Sequence, residues 1–281
     1  MRLVRPSVSK IQQYSGLDGV FKAVADAAKI CYQTEKSKLS DKEFVQMLIK
    51  KGHLRSLEMG TVYLIIPDDI DARLDVGYLI TDIQESPWSK WTWYANGRSD
   101  GYGDDYITTN LRVVYELCHI DEEGNDVDIL DKDFWLWKYL SEPTDHHHLR
   151  HTFDFICSRG CGDDFRTHVT LSAVMESTRY CNYANDKFGN EISFIEPYWV
   201  YSNDDINDLE EIERIYLKKI AKGYQPQMGK NFLPLSVKTQ LRMCGFWDAW
   251  TNFIEKRNSE AAYPECRRLA EEVERGLKED C

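Results

Sequence analysis

Apolar positions recur with a helical period through the first fifty residues. In "GLDGVFKAVADAAKICYQ", Val20, Val24, Ala27, Ala28 and Cys31 fall on one stripe, which predicts a helix. "SDKEFVQMLIKKGH" predicts a second, with Ser40 as its N-cap and Glu43 three positions on. Phe44, Met47 and Leu48 form its buried face, and Gly52 is its stop. "GTVYLIIP" is a β-rich run ending at Pro67. "YITTNLRVVYELCHI" and "HTFDFIC" read as strands, separated by an acidic turn and a short aromatic helix near "FWLWKYL". Beyond residue 203 the helical period returns in "NDDINDLEEIERIYLKKIAKGY", with Ile206, Leu209, Ile212 and Ile215 to Leu217 on its apolar side. "SVKTQLRMCGFWDAWTNFIEKR" and "PECRRLAEEVERGLKED" predict two more helices.

Between about 68 and 104 the pattern weakens. "SPWSKWTWYANGRSDGYGDD" is aromatic, glycine-containing and unperiodic, and predicts a long loop or local insertion. Neither an internal repeat nor a flexible interdomain linker interrupts the chain. The pattern therefore predicts a single mixed α/β (α+β) domain over residues 1–281, a central sheet flanked by helices, with strands in the first half and helices in the second.

Charge narrows the functional classes. A net charge of −12, from 35 basic and 47 acidic residues, argues against sequence-independent nucleic-acid binding, which needs a positive footprint. It leaves room for a locally basic pocket holding one small anion. No segment approaches the roughly 18 consecutive apolar residues of a membrane span, and "MRLVRPSVSK" lacks the apolar core of a secretion signal. Eight cysteines at irregular spacings read as reduced thiols of a cytoplasmic protein. Cys157 and Cys161 have neither the spacing nor the second pair of a zinc ribbon, and are expected to be structural. "TDHHHLRH" carries four of the seven histidines, at 146, 147, 148 and 151. No acidic or cysteine partner stands at a telling spacing, so a solvated loop is favoured over a metal site, and no metal is expected.

The chemistry concentrates in "MESTRYCNYANDKFGNEISFIEP", residues 175–197, which is neither a regular amphipathic helix nor an alternating strand. An acid, two hydroxyls, an arginine and two tyrosines (Glu176, Ser177, Thr178, Arg179, Tyr180 and Tyr183) crowd together ahead of a turn-like run with Lys187, Gly189 and Asn190. "ESTRYCNY…DKFGNEISFIEP" resembles the signature region of the flavin-dependent thymidylate synthases. Other blocks follow in order: "AAKICY", "GHLRSLEMGTVYL", "YITTNLRVVYE", "KYLSEPTDHH", "FICSRG", "LPLSVKT" and "NFIEKR".

That resemblance implies a homotetramer with active sites where subunits meet. It implies transfer of a one-carbon unit from 5,10-methylenetetrahydrofolate to C5 of dUMP, with FAD as hydride carrier and NADPH recharging it. By the same resemblance Ser177 and Arg179 hold the phosphate, as a serine hydroxyl and a planar guanidinium fork would. Lys230, in "GKNFLPL", stands where the family has arginine, keeping the charge without the fork. Arg257, in "EKR", faces the pyrimidine ring, where it polarises the carbonyls as charge develops. The resemblance thus marks Arg257 and Ser177 as catalytic and Ser177, Arg179, Lys230, Arg257 and Glu176 as substrate-facing. His53, Arg55, Glu58, His168 and Asn252 match positions on the flavin side. Cys181 follows Arg179 and Tyr180 closely, but the family uses no cysteine nucleophile and Cys181 is expected to be structural.

The chain departs from the family on that flavin side. The Arg-His-Arg triplet reads Thr167, His168, Val169. "Ser/Thr-Pro-x-Glu-His" reads Arg55, Ser56, Leu57, Glu58, Met59, keeping Glu58 and the preceding His53 but not the second histidine. Phe246 and Asp248 replace a polar residue and an arginine, and Asp164 and Met175 replace other polar positions. Two further activities stay open: a related pyrimidine-nucleotide C5 methylase or hydroxymethylase with reduced flavin dependence, and a nucleotide-binding homologue without turnover.

Overall fold

A computed structural model describes residues 1–33, 37–68, 77, 79–95, 103–121, 123–199 and 202–279. Two short strands, β1 (Arg2–Val4) and β2 (Ser7–Ile11), lead into helices α1 (Gly16–Tyr32) and α2 (Asp41–Lys50). The second helix begins on the expected capping box: Ser40 accepts from the Glu43 N–H, and Glu43 reaches back to the Ser40 N–H. It is followed by Gly52 at φ +69°, a left-handed position that glycine adopts without strain. Strand β3 (Thr61–Pro67) follows a 3-10 turn over Leu54–Met59.

The expected loop at 68–104 is not wholly loop. It contains helix α3 (Leu79–Glu85) and strand β4 (Lys90–Tyr94), while residues 69–76, 78 and 96–102 lie outside the described residues. Strand β4 joins β3 through β5 (Asp104–Asn110) in a three-stranded antiparallel sheet of order β3-β5-β4. Pairing, which needs no hydrophobic period, makes Trp91 and Trp93 strand residues on an edge.

The single strand expected over "YITTNLRVVYELCHI" is two elements. β5 ends at Asn110, whose side chain accepts from the N–H groups of Arg112 (3.0 Å) and Val113 (3.2 Å) and so starts α4 (Leu111–Cys118). Leu111, Val114 and Cys118 then bury one helical face despite the β-branched pair Val113–Val114.

Strand β6 (Arg150–Ser158) and helix α5 (Arg159–Phe165) precede β7 (Ser172–Met175) and β8 (Ser193–Ile195). Helices α6 (Asn203–Ala221) and the short α7 (Pro226–Gly229) come next. On α6, Leu209 and Tyr216 are the buried anchors and Ile215 is turned to solvent. The helix expected over "SVKTQLRMCGFWDAWTNFIEKR" is again two elements, β9 (Lys238–Phe246) and α8 (Trp247–Arg257). Lysine, glutamine, leucine, arginine and methionine suit a helix, but β9 lies between β6 and β7 in the antiparallel order β2-β6-β9-β7. Tertiary pairing overrides local preference there. The strands are therefore not confined to the first half of the chain. Helix α9 (Pro264–Lys278) closes the sequence of elements.

The four-stranded sheet is the expected central sheet, and two smaller sheets accompany it, including a parallel pair of β1 with β8. On one face of β9, Leu241 and Met243 pack with Trp250, Phe253 and Leu269 from α8 and α9. On the other, Cys244 meets Ala27, Met59 and Val174. A second large core joins α1, α2 and α4 to the three-stranded sheet. Gly60 sits at the junction, where a Cβ would come within 2.8 Å of Val20 and Val24.

The histidine run lies in a largely exposed loop, as expected, but its rings also contact the neighbouring sheet. His147 is buried with Nε2 3.1 Å from the Leu64 carbonyl, His148 Nε2 lies 3.2 Å from Thr92 Oγ1, and His146 stacks on Tyr94 at 3.8 Å. Three consecutive rings thus contact β3 and β4. Among the described residues no group of three or more His, Cys, Asp or Glu is disposed to hold a metal ion, and no helix is long and apolar enough to cross a membrane.

Candidate functional site

The polar segment after β7 is a turn fixed at several points. Glu176 is buried at 1 % exposure, and its carboxylate accepts from Tyr183 Oη (2.9 Å), Lys238 Nζ (2.8 Å) and the Gln240 N–H (3.3 Å). Its carbonyl accepts from Arg159 (2.9 Å). Three donors on one carboxylate offset the cost of burying it. Glu176, expected to face the substrate, thereby also holds the turn, and it lines the cavity beneath it.

The same turn is pinned to the C-terminus of α1. The Ser177 N–H donates to the Cys31 carbonyl (3.0 Å), the Tyr180 ring lies 5.0 Å from Tyr32, and Lys187 Nζ donates to the Tyr32 carbonyl (3.0 Å). A lysine suits the unsatisfied carbonyls of a helix end. Ser177 Oγ accepts from the Arg179 N–H (3.3 Å), and Arg179 is exposed, its guanidinium 5.6 Å from the Tyr180 ring. The Arg179 guanidinium has no hydrogen-bond partner among the described residues. Burial, with Glu176 adding to it, pushes the Cys181 thiol up to about 12, which removes it as a nucleophile at neutral pH. The same two causes raise Tyr183, so its phenol stays protonated and donates.

Beneath the turn lies a cavity of about 540 Å³ with Arg2, Lys187 and Lys238 on its wall, opposed by Glu176 and Glu191. Lys187 and Lys238 lie in "DKFG" and "LPLSVKT", blocks that carry the resemblance, yet nothing in their spacing marks them as partners of this turn. Arg2 has no sequence signal at all.

Arg257 heads a separate group. At the end of α8 its Nε donates to His168 Nε2 (2.9 Å), and Nη2 donates to Thr167 Oγ1 (2.9 Å) and the Asp164 carbonyl. Burial first, then the charges of Arg257 and Lys256, lower the His168 pKa to about 4. The imidazole is neutral, and with Nε2 accepting, its proton sits on Nδ1. The guanidinium fork therefore ties the end of α5 and the loop after it, through Asp164, Thr167 and His168, to α8. This loop enters β7 and the Ser177 turn leaves it, so a strand of roughly 13 Å separates the two groups. Within one chain Arg257 and Arg179 share no contact among the described residues.

The remaining candidates divide by accessibility. Lys230 and His53 are exposed, Asn252 is half-buried, and Arg55 is exposed with Nε 3.4 Å from the Ala173 carbonyl on the β7 edge. Glu58 is 3 % exposed; Oε1 accepts from Arg112 (2.6 Å), Oε2 is buried without a partner among the described residues, and its main-chain carbonyl accepts from Arg150 (3.0 Å). For a flavin, the chemistry of His53, Arg55 and Asn252 supplies an imidazole, a guanidinium and an amide, the first two exposed and the third half-buried. Glu58 and His168, the other two residues expected on the flavin side, make contacts within the chain to Arg112 and Arg257. Asp248 pairs with Lys90 of β4 (2.7 Å).

A family model described as thymidylate synthase complementing protein matches residues 131–281, just over half of the chain. Among solved structures, that of thymidylate synthase X from Helicobacter pylori with FAD and dUMP is 19% identical at a TM-score of 0.33, covering 45% of this chain and 66% of that one. No curated protein matches.

Proposed function

Because the chain belongs to the thymidylate synthase complementing protein family, we propose that it transfers a one-carbon unit from 5,10-methylenetetrahydrofolate to C5 of dUMP, giving dTMP. The solved relative was determined with FAD and dUMP, in keeping with this assignment. The observation that carries the reading is Arg179: a guanidinium without a hydrogen-bond partner among the described residues, held beside Ser177 Oγ on a turn pinned to α1. A phosphate would take the fork from Arg179 and a hydroxyl bond from Ser177. Lys230, exposed, adds charge. Arg257 would face the pyrimidine carbonyls, stabilising charge as it develops on the ring. Since Arg257 and Arg179 stand at opposite ends of β7, the complete pocket would take one group from each of two protomers of a homotetramer.

FAD, when bound, carries the hydride that completes the methyl group, and NADPH would replenish it. His53, Arg55 and Asn252 would hold the flavin. A second reading, a C5 hydroxymethylase needing no hydride, is favoured by what replaces the family's cationic triplet. Thr167 is tied to Arg257, Val169 is 75% exposed, and Asp248 is paired with Lys90. Turnover of dUMP and methylenetetrahydrofolate, with the product identified by mass, tests the assignment. Thymidylate supports the first reading, hydroxymethyl-dUMP the second, and absence of both dUMP binding and product defeats both.

A further inference from the structure

Three thiols meet in the core where β6, α5 and α9 pack together. Cys157, Cys161 and Cys266 are all buried there. The Sγ atoms of Cys161 and Cys266 lie 2.7 Å apart. That is closer than unbonded carbons pack, at about 3.5 Å, and within about 0.7 Å of a sulfur–sulfur bond. A second tie runs beside the pair: the Ser158 N–H donates to Glu265 Oε1 (2.7 Å). The first turns of α5 and α9 are thus already held against each other at the two sulfurs.

The two sulfurs differ in access. Cys161 lines a cleft of about 460 Å³ with Gly160, Asp164, Tyr263 and Glu265, whereas Cys266 lies behind it. Burial, with the Cys157 and Cys266 thiols beside it, holds the Cys161 thiol protonated well above the usual range. The pair is therefore slow to react and is no catalytic dithiol. Cys266 Sγ also lies 4.0 Å from Asp164 Oδ2, and that oxygen lies 3.9 Å from Arg257 Nη1.

We propose that Cys161 and Cys266 form a modification site, which a small peroxide entering the cleft converts into one intramolecular disulfide. Peroxide passes one oxygen to Cys161 Sγ, giving a sulfenic acid and releasing water. Cys266 Sγ then attacks that sulfur, the S–S bond forms, and the oxygen leaves as a second water. Each sulfur gives up one electron and each peroxide oxygen gains one, so two thiols and one peroxide become one disulfide and two waters. The bond joins positions 105 apart, a span at which a cross-link strongly restricts the unfolded chain. It staples α5, whose Asp164 faces Arg257, to α9. The cross-link itself is independent of the proposed reaction and uses none of Ser177, Arg179 or Lys230.

The test treats the full-length chain with hydrogen peroxide, alkylates the remaining thiols in denaturant, and maps the unreduced digest by mass. The proposal expects a peptide pair joined through Cys161 and Cys266 and split by dithiothreitol. The oxidised chain should melt roughly 5–15 °C higher than the reduced one, and the gain should vanish on reduction. Cys266→Ala should show neither the joined peptides nor the gain; the parent chain's map decides alone if that variant does not fold. A map that joins Cys161 to Cys157, joins two chains, finds only sulfinic acid, or finds both thiols still open to alkylation overturns the proposal. Neither readout involves a nucleotide, so such a failure leaves the proposed function standing.

Discussion

Arg257 Nε donates to His168 Nε2 at 2.9 Å, joining the end of α8 to the loop that enters β7. The bond requires a neutral imidazole. The His168 pKa is lowered to about 4 by burial and by Arg257 and Lys256, whereas an unfolded histidine titrates near 6.5. Protons therefore bind the unfolded chain first. The associated stability is full above about pH 6.5 and is lost as pH falls toward about 4, by on the order of 3 kcal/mol across the window. His147, also lowered by burial, adds in the same direction. Urea midpoints between pH 7.5 and 4.5 should fall more steeply for the parent chain than for His168→Asn; identical slopes would remove His168 as a source.

Arg257→Lys retains charge but loses the fork that holds Thr167, His168 and Asp164. Turnover should drop roughly 100-fold, with dUMP affinity changed much less. Comparing kcat with KM separates the two effects.

Arg179 is exposed and makes no side-chain hydrogen bond among the described residues, so Arg179→Ala should leave the melting temperature unchanged. Its dUMP dissociation constant should rise about 10- to 100-fold, the equivalent of one charge-assisted contact. Calorimetry reads this directly. Unaltered affinity would place the phosphate elsewhere.

Glu176→Gln should destabilise the chain by about 3 kcal/mol, because Lys238 loses its buried counter-charge. Tyr183→Phe, which removes one donor, should cost about 1 kcal/mol. Chemical denaturation of the two variants and their double mutant measures the coupling. Were Glu176 a substrate contact and nothing more, stability would be untouched and affinity alone would fall.

For the flavin, Arg55→Ala should weaken FAD about tenfold or more. Asp248→Arg, which breaks the Lys90 pair and restores the cation typical of the family, should strengthen it. Absorbance titration at flavin wavelengths compares them. If neither change alters FAD binding, the flavin does not use this side of the molecule.

The chain's periodicity already specifies α1, α2, α6 and α9, because each must bury one apolar stripe whatever surrounds it, and the Ser40–Glu43 capping box is local in the same sense. The ordered blocks also identify the family, since they are runs of residue types that can be read along the chain without any tertiary contact. Strand β9 and helix α4 are different: their residues suit either state, and neighbouring strands or an asparagine cap decide. The same holds for site residues. Glu176 and Arg179 stand three positions apart in one motif, yet one carboxylate is enclosed by Tyr183, Lys238 and Gln240 while the other residue's guanidinium faces solvent. Residue identity is a property of the sequence. Which charges are already neutralised, and which remain for a ligand, depends on contacts between distant segments that only the folded chain brings together.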